Sequence, residues 1–251
     1  MRRMNTRNTQ RNPRKSQSTL VRFLRLRLND YGIFQGLHEF EFNRQQTFID
    51  GDRGAGRTTA AKALIQLGPV KGVTVCAYAK QPNMFVEVET YGDRQLIRKY
   101  RDLIYLNCES AAELALRRES KFAKILNRTQ RRNYDAETKK IFEGLLKHKL
   151  TCRGFDALIM AAGVRTCLGY ASIFAARKVL QVDIPLVGDS IFGTLDESLR
   201  QGVREFLLKE PSQQIHFCWT HELRELGKRP HYILQYPAVK RNMNQPTGAT
   251  R

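Results

Sequence analysis

The 251 residues, 41% of them hydrophobic, are enough for one large α/β domain or two small ones with a real core. Forty-three Lys and Arg against 24 Asp and Glu leave a formal charge of +19, which points to an acidic partner, most commonly nucleic acid, although basic tails and a solvated basic surface supply part of the surplus. Composition argues against a membrane-spanning or secreted chain: no apolar run is long enough to cross a bilayer, no N-terminal apolar segment reads as a signal, and Cys76, Cys108, Cys152, Cys167 and Cys218 form no C-x-x-C pair, which suits a reducing cytoplasm better than a zinc or disulfide framework.

Residues 1–18 carry Arg2, Arg3, Arg7, Arg11, Arg14 and Lys15 without an acid, so composition predicts a disordered tail with weak, salt-sensitive contact to phosphates. A mitochondrial transit peptide is the alternative, but the tail lacks the apolar face that such peptides need. Residues 20–28 alternate, with Leu20, Leu24, Leu26 and Leu28 on one face and Arg25 and Arg27 on the other, as in a half-buried strand. A turn at 29–32 leads to a second alternating strand at 39–42.

Residues 47–59 read as an apolar strand, a glycine-rich turn and the start of a helix that continues over 60–67. Gly51, Gly56 and Thr58 fit the P-loop pattern G-x-x-x-x-G-K-[ST] at every position but one, Arg57 standing where the pattern has Lys. Glycines permit the curled backbone whose N–H groups surround a phosphate, and the helix N-terminus adds its positive end. Arg53, Gly54 and Thr59 lie in the same loop, and Thr58 is placed to bind magnesium. A glycine-rich turn that binds nothing is the plainer alternative.

Gly68-Pro69 breaks the chain. Residues 73–79, 85–90 and 96–100 are expected as three strands of an antiparallel meander. Helices are expected over 111–126 and 135–150, the second capped by Asp135 after a polar break at 127–134. At roughly 16 residues and about 25 Å each, they make a short hairpin rather than a long arm. Its residues Arg117, Arg118, Lys121, Lys124, Arg128, Arg131 and Arg132 suit a nucleic-acid surface or an ordinary solvated face. A helix follows over 163–179. The buried strand 184–189 then ends in Asp189, where a P-loop fold holds its second magnesium-linked residue, although a capping acid explains it too. A helix over 198–208 and strands at 214–219 and 231–235 complete the order, with His221 just past the first of these strands. The tail from Lys240 reads as loose and basic.

From about residue 20 to 235 these pieces, in this order, resemble the head domain of the SMC/RecF branch of ABC-type ATPases. Residues 29–34 and 40–42 look like its opening strands and 51–59 like its P-loop. Ala161-Ala162-Gly163-Val164-Arg165-Thr166 looks like its signature sequence, 186–189 like its Walker B strand, Leu195-Asp196 like its D-loop and His221 like its switch histidine. The resemblance implies an α/β P-loop NTPase of ABC-ATPase head type, with a mixed sheet, an antiparallel β lobe and a short helical hairpin insertion. The head would span 19–240, with the hairpin at 110–150 and tails at 1–18 and 241–251.

It further implies ATP and Mg2+ as cofactors. Gly51, Arg53, Gly54, Gly56, Arg57, Thr58 and Thr59 would bind the nucleotide, joined by Gly163 and Arg165. Thr58 and Asp189 would hold the metal; of the catalytic set, Ser190 and His221 would stand at the reacting phosphate and Asp196 at a dimer seam. Dimerisation on nucleotide, DNA as partner, a nuclease as a further protein partner, and a cytoplasmic, nucleoid-associated place follow from the same likeness. The sequence departs from the family where hydrolysis happens: Arg57 replaces the lysine, Ala161 the signature serine, and Ser190 the acid that commonly follows the Walker B aspartate. A serine hydroxyl is far too weak a base near neutral pH. Slow or absent hydrolysis is therefore expected, and a non-hydrolysing regulatory or structural subunit of a DNA-processing complex is the alternative function. A small-molecule P-loop kinase is disfavoured because it needs no signature or D-loop. The glutamine loop of the family has only Gln81 and Gln95 as nearby candidates.

Overall fold

The computed structural model describes residues 20–116, 122, 125–147 and 161–235. The expected tails at 1–18 and 241–251, Cys152, and Arg117, Arg118, Lys121 and Lys124 lie outside them. Two sheets carry the described residues. An antiparallel sheet has the order β2-β1-β4, from β1 (Val21–Tyr31), β2 (Phe34–Glu41) and β4 (Phe85–Gly92). A parallel sheet has the order β5-β6-β7-β3-β8, from β3 (Gln46–Gly51), β5 (Tyr105–Asn107), β6 (Leu186–Asp189), β7 (Gln214–Cys218) and β8 (Tyr232–Leu234). Strands β6 and β7 are buried along their whole length, as parallel strands covered on both faces must be.

Helix α1 (Arg57–Gln66) leaves the C-terminal end of β3 and packs against β6 and β7. The two helices expected between 110 and 150 are α4 (Cys108–Leu116) and α5 (Arg128–Leu146), and both lie on α6 (Ala162–Leu180). Helix α7 (Glu197–Lys209) contacts α5 and α6, and α8 (Thr220–Leu226) follows β7.

Gln213 sutures the two sheets. Its Oε1 accepts from Phe23 N at 2.8 Å, while its Nε2 donates to Phe23 O and Asn43 O at 2.8 and 2.9 Å. Arg177 does similar work beneath β6, donating to the carbonyls of Leu103, Ile184 and Pro185 and to Ser212 Oγ. Burial lowers its pKa, with Glu210 opposing that shift most.

Four sequence expectations change. Leu24 does not share the buried face of Leu26 and Leu28: a bulge between Phe23 and Arg25 shifts the phase, so Val21 and Phe23 are buried and Leu24 is exposed. Residues 73–79 are a loop rather than a strand. Turns bonded Val73 N to Val70 O and Ala79 N to Cys76 O leave only Tyr31–Val75 to pair as an isolated bridge. Without that strand there is no meander, and β4 returns instead to pair with β1.

Residues 96–100 belong to helical turns, α2 (Arg94–Lys99) and α3 (Arg101–Ile104). Asp93 caps α2 by accepting Gln95 N at 2.8 Å, and Ile97, Tyr100 and Ile104 are buried at helical rather than alternating spacing. Finally, α5 starts at Arg128, not after Asp135. Asn127 and Gln130 form a reciprocal capping box, at 2.9 and 3.0 Å, so the expected polar break is the helix's first two turns.

Candidate nucleotide-binding site

The loop between β3 and α1 is shaped by glycine where the backbone demands it. Gly54 and Gly56 have φ of +83° and +89°, and a Cβ at Gly56 would come within 2.7 Å of the Phe34 ring. Gly56 is the N-cap of α1 and supplies no side-chain acceptor. The first amides of the helix are therefore left for an external acceptor. Thr58 is exposed in that first turn, Thr59 is half-buried, and Arg53 is exposed on the loop.

Arg57 departs most from what its position in the pattern suggests. Its side chain is drawn inward, leaving the residue 7% exposed, and its Cζ lies 3.7 Å from the centroid of the Trp219 ring. The His221 ring lies near-parallel to Trp219 at 6.3 Å, with His221 itself exposed. Burial lowers the Arg57 pKa, opposed first by the charge of Asp189 and then by Glu222 and Asp50. Arg57 Nη1 is buried with no hydrogen-bond partner. A buried cationic donor left unpaired is costly, and it marks a place where an anion would be welcome.

Three buried carboxylates surround this cation, each held differently. Asp50 accepts Thr220 Oγ1 at 3.1 and 3.0 Å. Asp189, 1% exposed at the end of β6, accepts the Tyr105 hydroxyl on Oδ2 at 2.7 Å, and its carbonyl accepts Asn107 Nδ2 at 2.9 Å. Burial and the Asp189 charge push the Tyr105 phenol up, so it stays a donor. Glu222 is fully buried: Oε1 accepts Phe192 N at 3.0 Å and Oε2 accepts Trp219 N at 2.8 Å. Burial raises its pKa, opposed by those two amides, His221 and Arg57. Glu222 thus ties the loop after β6 to the start of α8, where Trp219 and His221 stand.

Ser190 follows Asp189 with φ of +53°, a left-handed backbone that costs a non-glycine residue about 1 kcal/mol. Its amide donates to Phe217 O at 3.0 Å, which pins the loop across the end of β7. The site therefore gathers Gly51, Gly54, Gly56, Arg57, Thr58, Asp189, Ser190 and His221 around the C-terminal ends of β3, β6 and β7.

Ala161, Gly163 and Arg165 begin α6, and Gly163 packs there against the 194–199 segment that carries Asp196. A Cβ at Gly163 would lie 3.0 Å from both Thr194 O and Leu199 Cδ1, and Thr166 Oγ1 lies 3.0 Å from Thr194 Oγ1. Asp196 caps α7, accepting Leu199 N at 2.9 Å.

Sequence reasoning missed Tyr105, Asn107, Trp219 and Glu222. Glu222 had a readable signal, an acid at the third position of a helix, as in a capping box. The others depend on pairing of distant strands. Gln95 lies in the first turn of α2, and the polar side chain at the end of the strand beside Asp189 is Asn107.

Among solved structures, the chain is similar to the SMC head domain from Thermotoga maritima, with a TM-score of 0.52 and 11% identity over 85% of this chain and 94% of the other. It is similar also to the dimeric structure of a bacterial ABC transporter cassette, with a TM-score of 0.53 and 16% identity over 86% of this chain and 97% of the other. No protein-family model matches the chain, and no curated protein matches it. The fold is that of the SMC/ABC-type P-loop ATPase head, with a parallel sheet beside an antiparallel one. Among the described residues no helix is long and apolar enough to cross a membrane.

Proposed function

We propose that this chain binds ATP with magnesium and serves as a nucleotide-dependent dimeric head acting on DNA, in repair, recombination or defence, with slow or absent hydrolysis. The observation that carries the nucleotide reading is Arg57: a buried guanidinium with an unpaired Nη1, beside a positive-φ glycine loop and an uncapped helix N-terminus. This donor set fits a polyphosphate. Gly51 to Gly56, Arg57 and the first amides of α1 would hold the phosphates, and Thr58 and Asp189 the metal. Bound magnesium supplies charge neutralisation at the phosphate oxygens. Tyr105 holds the Asp189 carboxylate through one oxygen and leaves the other for a ligand.

The packing of Gly163 against the segment that carries Asp196, apart from the phosphate loop, supports a dimer reading in which these residues and Arg165 would face the partner's nucleotide. The cassette it resembles is described as dimeric. The charge of +19 supports DNA as the partner, and the buried free cysteines suit a reducing, cytoplasmic and nucleoid-associated setting. A nuclease is a fitting further partner for a head of this kind.

The second reading, a non-hydrolysing regulatory or structural subunit, is favoured by the Arg57–Trp219 stack together with Ser190 and Ala161. Stacked on Trp219, the guanidinium is a planar fork where the pattern has a compact lysine ammonium. Calorimetric titration of the full chain with ATP and magnesium tests the primary reading. Binding that weakens in Thr58→Ala supports it, and no heat at millimolar ATP overturns it.

A further inference from the structure

A strongly basic groove lies at the opposite end of β3 from the phosphate loop. It has a volume of about 480 Å³, and Arg44, Lys228, Arg229 and His231 line it with the amides Asn43, Gln45 and Gln46, the Phe48 ring and no acid. Of the lining residues Phe48 lies nearest the glycine loop along β3 (Gln46–Gly51), so about 10 Å of strand separates this groove from Gly51. The two are separate surfaces.

The cations of the groove are uncommitted. Among the described residues, neither Arg44, Lys228 nor Arg229 forms an ion pair, whereas the nearby acids are engaged: Glu225 with Arg200 at 2.5 Å, and Glu41 with Arg25 at 3.6 Å. All three cations are exposed. Arg204 extends the patch, since a Cβ at Gly227 would sit 3.6 Å from its Nη2. His231 Nδ1 accepts the Phe48 amide at 3.1 Å, so the proton of the neutral ring sits on Nε2. The chain thus holds three free cations, a histidine donor and three amide side chains in one open concavity, fixed by the β3–β8 pairing and its preceding loop.

A lone cation is a solvated surface residue. Several unpaired ones around a concavity, with acids excluded, are the footprint of a polyanion. We propose that this groove holds the phosphodiester backbone of duplex DNA, and that it does so at the pole remote from the nucleotide. The inference rests on the DNA reading above and adds where the duplex lies. The open lining suits a backbone that passes through rather than a small anion that is enclosed. It also predicts no preference for sequence, because phosphate contacts carry none.

The test uses the full chain and a 30-base-pair duplex followed by fluorescence anisotropy across a salt series. Each phosphate that is no longer neutralised should lower the slope of log affinity against log salt by about 0.9. Arg44→Gln, Lys228→Gln and Arg229→Gln together should lower it by about 2.7, and at about 0.1 M salt should weaken binding roughly 10- to 500-fold. Each single substitution should lower the slope by about one, which keeps the test readable if the triple variant does not fold. The control removes the same charge elsewhere, through Arg94→Gln, Arg98→Gln and Arg101→Gln on α2 and α3.

A groove variant that binds like wild type, or a control variant that weakens as much, overturns the groove while leaving DNA binding standing. A wild type that binds no duplex at about 50 mM salt overturns the groove and the DNA reading together. A slope reduced in the groove variants alone supports the proposal.

Discussion

The stacking of Arg57 on Trp219 can be measured through stability. Trp219→Leu keeps an apolar side chain and removes the π face beneath the guanidinium. The 3.7 Å approach and the 7% exposure of Arg57 put this in the desolvated regime, where a cation–π contact is worth about 2 kcal/mol. In a chain of this size about 2 kcal/mol corresponds to a fall in Tm of roughly 4–8 °C. Arg57→Met removes the same interaction and with it the unpaired buried Nη1, so its cost should be no larger than that of Trp219→Leu, about 2 kcal/mol or less. The double variant should cost about 2 kcal/mol less than the two singles summed, because both delete one interaction. Urea unfolding followed by far-ultraviolet circular dichroism reads all four proteins, since Trp219 is the single tryptophan and is absent from two of them. A coupling below about 0.5 kcal/mol would refute the stacked geometry and, with it, the view that Arg57 is held on Trp219. In wild type, ATP with magnesium should alter Trp219 fluorescence as Arg57 Nη1 finds its anion; an unchanged spectrum at saturating ligand would count against that role.

Ser190→Glu alone should raise ATP hydrolysis little, whereas adding Arg57→Lys and Ala161→Ser should raise it far more, since the three act as one unit; general-base help is worth about a hundredfold to ten-thousandfold. A wild-type turnover of about 1 per second or faster would contradict this account. His216 is buried and its pKa is pushed down to about 4 from 6.5. Its folded value is depressed, so the stability it contributes is present above pH 6.5 and is lost as pH falls towards 4, by about 3 kcal/mol in all. His216→Phe, which keeps the ring stack on Phe48, should flatten the stability profile across that window, and an unchanged acid slope would exclude His216 as its source. Gln213→Leu should cost about 3 kcal/mol or more, because it leaves Phe23 N, Phe23 O and Asn43 O without their buried partner; a destabilisation under about 1 kcal/mol in urea unfolding would show that the suture is not needed.

The sequence by itself determined the strand-loop-helix at 46–66, the buried strand ending in Asp189, the long helix after Ala161 and the order that joins them. These signals are local. A glycine pattern, an apolar run and a helical period are each complete within a dozen residues, so they can be read without knowing what lies opposite. The capping box at Asn127 and the acid at the third position of α8 were equally local, and the helix boundary at 128 was legible there. What the tertiary structure decided is what depends on neighbours distant in the chain. The bulge that turns Leu24 outward lies in the pairing of β1 with β4, a strand about 60 residues further along the chain. Residues 73–79 have the composition of a strand but meet a pairing partner only at Tyr31–Val75. Above all, the glycine pattern made Arg57 a phosphate ligand by position, and it could not show the guanidinium lying on Trp219, far along the chain. A side chain's direction is set by the desolvation, charge and aromatic surface around it, and only the packed sheet brings these to Arg57.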